Sequence, residues 1–292
     1  MVVYSIKDLE KLSGVKAHTL RIWEKRYGII EPKRTDTNIR YYLDEDVQKI
    51  LNIALLNKKG YKISKISKMT VAEIKAKVAE ISEVDAQFED QVDGLILSML
   101  ELDEAKFNRI IDHNIEQRGF EEAMEVVIYP LLDKLSMMWI AGSVKSVHEN
   151  FVSSIIRRKM IVCIDKLSNK VKRSDKIMIY LPEGETHELS LLYLHFVLKK
   201  RGFEVLNLGT HVPLIDVVEG HLIYKAAYVF TIFNDSFSET PLQPYLDQMT
   251  SNLGDVKIII SGYQTISQNL ALNEQITVLH GLKEIKTFLK EM

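Results

Sequence analysis

Cysteine is almost missing from this sequence: among 292 residues only Cys163 carries a thiol. One thiol excludes an internal disulfide and any zinc site built from cysteines alone. Within "RRKMIVCIDKL" it reads as a small core residue. Long hydrophobic runs are missing too. None approaches the roughly 20 apolar residues a membrane span needs, so no membrane association is expected. The eight histidines never form a zinc spacing such as H-E-x-x-H. No Ser-His-Asp or Cys-His arrangement has supporting context, so no catalytic residues and no enzymatic activity are expected. Charges interrupt the opening "MVVYSIKDLEKLSG" within a few residues. It is therefore not expected to be a secretion signal, and a cytoplasmic address follows. Internal repeats and low-complexity tracts are also lacking.

What is present is an ordinary globular composition, 46% hydrophobic and 27% charged, with length for two or three domains. The net charge of −2 hides a strong asymmetry. Residues 1–70 hold 15 Lys+Arg against 8 Asp+Glu, a net of +7, which leaves −9 for the remainder. A basic head on an acidic body suits a polyanionic partner.

Hydrophobic periodicity divides the chain into three blocks. In residues 1–75, "SIKDLEKLSG" offers Ser5 as an N-cap with Asp8 three residues on, and Gly14 as a stop. "VKAHTLRIWEKRYG" is a second short helix closed by Gly28. "IIEPKRTDTNIRYYLD" reads as a small hairpin, and "DEDVQKILNIALLNKKGY" and "KISKISKMT" as two more short helices. Together they describe a winged helix-turn-helix unit. Residues 76–174 carry apolar positions at spacings of three and four, one proline (Pro130), and punctuation at Gly119 and Gly142. Four or so helices in a bundle are expected there. In residues 175–292, "DKIMIYLP", "GFEVLNLG", "AAYVFTIFN", "DVKIIISG" and "QITVLHG" alternate with helical stretches. That alternation predicts an α/β domain, a doubly wound parallel sheet of Rossmann-like form, with ligands beyond the carboxyl ends of its strands.

On the second helix, His18, Arg21, Lys25 and Arg26 could share an exposed face that meets bases and phosphates, with Leu20, Ile22 and Trp23 partly inward. Lys33, Arg34 and Arg40 sit in the wing, within reach of flanking phosphates. Charge alone would equally fit a solvated basic face. The words themselves, "TLRIWEKRYG", "P-x-R-T" and "R-Y-Y", resemble the DNA-binding domain of MerR-type transcription regulators over about 70 residues. The resemblance adds Thr19, Tyr27 and Tyr41 to the contact surface. It implies double-stranded DNA as partner, a pseudo-palindromic operator, and a homo-oligomer, dimer or tetramer.

"LPEGETHELSLLYL" sets Glu185 and His187 in a loop after the first strand of the third block. Alone, such a histidine is usually structural. Its chemistry suits a transition metal, with Glu185 able to accept the other ring N–H. With no closed zinc spacing, a metal would arrive inside a cofactor. The stretch through "LGTHVP" resembles the cobalamin-binding Rossmann-like domain, whose motif is Asp/Glu-x-His-x-x-Gly. The resemblance implies His187 as cobalt's lower axial ligand, Glu185 behind it, and adenosylcobalamin as cofactor. "MWIAGSVKSVHENFVSS" is similar to the Trp-x9-Glu-His cap of light-sensing cobalamin repressors, which assigns Trp139, Glu149 and Asn150 to the cofactor's upper face. Without that context, Trp139 reads as bundle core.

The sequence departs from the family's pattern at several places. The motif glycine is Ser190, the Ser-x-Leu element reads as Thr231-Ile232-Phe233, and the Gly-Gly pair is Ser261-Gly262. In the family these positions line the slot for the nucleotide tail, so the resemblance implies a slot that such changes could narrow. Asn150 replaces a histidine and is a poor cobalt ligand, so light switching through that position is not expected. His211 could line the pocket, and His195 reads as packed. The reading is a regulator coupling a cobalamin to oligomerisation and operator binding. The alternatives are a regulator of the same fold that has lost cobalamin and answers another ligand or protein, and a corrinoid enzyme subunit.

Overall fold

The N-terminal helices start where their first turns are capped by side chains. A computed structural model describes residues 4–34, 40–58, 60–81, 88–140, 144–167, 173–234 and 242–292. Helix α1 (Ile6–Ser13) opens with a complete capping box: the Ser5 N–H donates to Asp8 Oδ2 at 2.8 Å, and the Asp8 N–H donates to Ser5 Oγ at 3.3 Å. It ends at Gly14, whose φ of 70° suits glycine. Helix α2 (Ala17–Tyr27) stops the same way at Gly28. Strands β1 (Lys33–Arg34) and β2 (Arg40–Tyr41) form the expected antiparallel wing, and Tyr4 pairs with Tyr42 to broaden it. Thr35 of the "P-x-R-T" word lies outside the described residues, as does Gly142.

Helix α3 (Asp44–Lys58) is longer than the short helix the sequence suggests. Residues 50 to 56 are all buried. A helical stretch with buried residues on every side needs neighbours all round. The head covers part of it, and α5 (Val71–Ile81) and α6 (Phe88–Leu100) cover the rest. Between α3 and α5, α4 (Ile63–Ile66) is a single turn. Helix α7 (Glu104–Arg118), capped by Asp103, returns along α6.

After Gly119 the chain runs through α8 (Phe120–Ala123), a π-helical turn at Met124–Ile128, and α9 (Tyr129–Ile140). The π turn has a local cause. Pro130 has no N–H to offer the carbonyl four residues back, and the Tyr129 N–H bonds the Met124 carbonyl instead. Helix α10 (Ser146–Asp165) follows. These helices are the expected central bundle. The chain divides into two compact units, Met1–Ile155 and Ile156–Met292, so head and bundle share one unit and the boundary falls within α10.

The second unit is built on a five-stranded parallel sheet in the order β4-β3-β5-β6-β7. Its strands are β3 (Lys176–Tyr180), β4 (Glu204–Asn207), β5 (Tyr228–Ile232), β6 (Lys257–Ser261) and β7 (Ile276–Leu279). The connecting helices are α11 (Glu188–Lys200), α12 (Leu214–Tyr224), α13 (Leu242–Asn252), α14 (Tyr263–Ser267) and, at the end, α15 (Leu282–Glu291). The order in which successive strands are laid down reverses at β3: β4 lies to one side of it and β5 to the other. That reversal opens a crevice at the carboxyl ends of β3 and β5. Met178, Tyr180, Val229 and Phe233 pack on one face with α12 and α13. The alternate residues Ile177, Ile179 and Ile232 face the other way. Cys163 is only half-buried, so the core position expected for it is not realised in full.

Candidate functional site

Helix α2 presents a basic stripe. His18, Arg21, Ile22 and Lys25, spaced three and four apart, are all exposed, and Arg26 stands beside them. Ile22 is a correction: it is 49% exposed and does not turn inward, while Leu20 and Trp23 do. An apolar side chain among cations suits a thymine methyl group. Thr19 is half-buried with its hydroxyl 3.2 Å from His18 Nε2, and the Arg26 guanidinium lies 5.5 Å from the centre of the Tyr27 ring. In the wing, Lys33, Arg34 and Arg40 are exposed and Tyr41 is half-buried. Sequence reasoning missed Glu24, which ties wing to helix. It pairs with Arg40 Nε at 3.4 Å and accepts from the Tyr42 hydroxyl at 3.4 Å. Burial and then Glu24 push that hydroxyl's pKa up to about 12.

At the other end of the chain, His187 caps α11 at the carboxyl edge of β3, beside the crevice. Its ring Nδ1 lies 2.6 Å from Glu185 Oε1, and its backbone N–H donates to the same oxygen at 3.1 Å. Glu185 is 3% exposed, whereas the His187 side chain is 46% exposed. A buried carboxylate so placed favours the tautomer with the proton on Nδ1, which leaves the Nε2 lone pair as the open donor. The other carboxylate oxygen accepts the Asn234 N–H at 2.6 Å. The loop carrying "LGTHVP" runs alongside: the Leu181 N–H donates to the Gly209 carbonyl, and the Val212 N–H to the Leu181 carbonyl. This brings exposed His211, held at φ 58°, to the same edge. His195 lies deeper on α11, beside Asn207 at 3.3 Å. Burial, and next Lys199, lower its pKa to about 4.

The residues expected to line one slot are not gathered on one face. Thr231 is fully buried on the side of Tyr180, Phe233 and α13. Ser261 alternates with Ile260 of that side and so faces the other way. Its hydroxyl donates to the Leu279 carbonyl at 2.6 Å. Phe233 packs edge-on against Tyr245, with ring centres 5.7 Å apart. Ser190 stands half-buried in the first turn of α11. Gly262 is backed by the main chain of Phe233, where a Cβ would come within 2.4 Å of the carbonyl oxygen. Strand parity separates Thr231 from Ser261, and neighbouring words of sequence conceal it.

On the helical unit, Trp139 is 49% exposed, which sets aside its reading as bundle core. Glu149 and Asn150 are exposed as well. His148 points inward, 8% exposed, with Nδ1 accepting the Lys145 N–H at 3.2 Å.

Residues 4–73 match the model of the MerR helix-turn-helix family of regulatory proteins. The head is a MerR-family domain. The likeness runs on beyond the MerR head. The transcriptional repressor CarH of Myxococcus xanthus is 25% identical over 232 residues, 77% of this chain and 77% of its own. The repressor CarA of the same organism is 27% identical over 210 residues, 71% and 68%. Both relatives are named as transcriptional repressors. Among solved structures, the monomethylamine corrinoid protein of Methanosarcina barkeri superposes with a TM-score of 0.56 at 14% identity, covering 70% of this chain and all of that one. At that identity the likeness is one of fold. No helix among the described residues is long and apolar enough to cross a membrane.

Proposed function

We propose that this MerR-headed chain is a transcription regulator that reads an operator through α2 and the wing and senses a cobalamin at His187. The observation that carries the sensing half is the buried Glu185 carboxylate set 2.6 Å from His187 Nδ1 at the crevice of the sheet. The donor set fits cobalt: a neutral imidazole whose far nitrogen is the ligand and whose near nitrogen is fixed by a carboxylate. A bound corrinoid would supply a cobalt ion, and His187 Nε2 would be the protein nitrogen that holds it. Adenosylcobalamin is the form we assign, and Trp139, Glu149, Asn150, Ser190, Ser261 and Gly262 are the further residues that would help to hold it. Two MerR heads of a homo-oligomer, dimer or tetramer, would engage a pseudo-palindromic operator. The cofactor would act by favouring one assembly over another.

The test is purification with adenosylcobalamin in the dark, followed by a visible spectrum. A retained corrinoid whose spectrum changes in His187→Ala supports the reading. One observation favours a second reading, a regulator of the same fold answering another ligand or a protein: Thr231 and Ser261 sit on opposite faces and Phe233 is packed against Tyr245. No corrinoid retained at micromolar concentration would select it.

A further inference from the structure

The hydrogen bonds that hold Glu185 continue across the strand ends. Its outer oxygen takes the backbone N–H of Asn234, at the end of β5, at 2.6 Å. The side-chain oxygen of that same Asn234 accepts the N–H of Tyr263, the first residue of α14, at 3.0 Å. Main-chain bonds flank this link: the Phe233 N–H donates to the Ser261 carbonyl at 2.8 Å, and the Gln264 N–H to the Phe233 carbonyl at 3.0 Å. Gly262, at φ 111°, has no Cβ and lets the two turns close to contact. A belt therefore runs from His187 through Glu185 and Asn234 to Tyr263, across the carboxyl ends of β3, β5 and β6. Asn234 is its middle residue and is held from both sides.

We infer that Asn234 is a positioning residue: by fixing its own N–H on Glu185, it sets the tautomer and orientation of the His187 ring. This rests on the reading of His187 as a cobalt ligand. Loss or misplacement of that N–H takes a charge-assisted hydrogen bond from the buried carboxylate and so loosens its hold on the imidazole it orients. The amide of Asn234 prevents this by anchoring the turn to α14.

The experiment uses the full chain. Asn234→Ala removes the acceptor for Tyr263. Tyr263→Pro removes the donor instead, at a first-turn position where proline is at home and where the side chain is 65% exposed. Two readouts are taken on wild type and both variants: the tautomer of ligand-free His187 by ¹⁵N-detected NMR, and the affinity for cobalamin by visible titration. The expected result is a single Nδ1–H tautomer in wild type, a mixture in each variant, and cobalamin binding weaker by about tenfold or more. Unchanged tautomer and unchanged affinity in both variants would overturn the inference. Wild type that takes up no cobalamin sinks the ligand reading only, and the tautomer measurement still decides the role of Asn234. Should Asn234→Ala fail to fold, Tyr263→Pro carries the test alone.

Discussion

His195 shows how a half-hidden histidine can tax a fold without serving its site. Asn207 Oδ1 accepts the Gly209 N–H at 2.9 Å, which turns the amide nitrogen of Asn207 toward His195 Nδ1. The ring must therefore accept there and stay neutral. Its pKa of about 4 in the fold, against 6.5 when exposed, comes first from burial and then from Lys199 one turn along. The unfolded chain binds more protons between those values, so stability falls as pH drops from 6.5 toward 4. His195→Gln keeps an acceptor for Asn207 and removes the titration. Thermal melts across pH 7 to 4 are expected to be flatter for the variant, and parallel curves would refute the assignment. Residue types at this scale were readable: Glu185 and His187 stand two apart in the sequence, and the structure joins them. Asn234 was not readable, because it acts through a backbone N–H, which every residue but proline possesses. Ile22 misled because an apolar residue in an amphipathic helix reads as inward. Here a neighbouring stripe, Leu20 and Trp23, supplies the buried face.

Among elements, the wing shows a division between holding and touching. Lys33 and Arg34 lie on a two-residue strand, both exposed. Arg40 opposes Arg34 and reaches back to Glu24. Replacing Lys33 or Arg34 with alanine is expected to lower the slope of log affinity against log salt by about 0.9 for each lost phosphate contact. Arg40→Ala is expected to cost more affinity than either, since it also releases the wing from α2. Filter binding over a salt series separates the cases, and three equal losses would remove Arg40's structural role. The elements themselves were legible from the sequence because caps and periods are local signals, as at Ser5, Gly14 and Gly28. The length of α3 was not, since seven consecutive buried positions carry no helical period to count. α14 also falls short of its word: it spans only Tyr263–Ser267, and no helix continues through Leu270.

For the whole molecule, the three blocks of sequence become two compact units, because α3 serves head and bundle at once. Gln48 donates to the Leu100 carbonyl at 3.3 Å, and Lys75 pairs with Glu101 at 2.9 Å. A fragment cut at residue 75 would sever α5 midway and bare one side of α3. It is expected to melt well below a fragment ending at residue 140, when followed by circular dichroism; equal midpoints would show that the head folds unaided. Composition could not reveal this, since a shared core leaves no mark on either block's charge or period. The π turn at Met124–Ile128 has a consequence for register. Such a turn holds one residue more than an α turn, so it sets how the faces of the helix before it and after it are aligned. Deleting one residue there, together with Pro130→Ala, should leave a regular α-helix with both ends in register. The same deletion made within α7 would swing every later side chain off its partner.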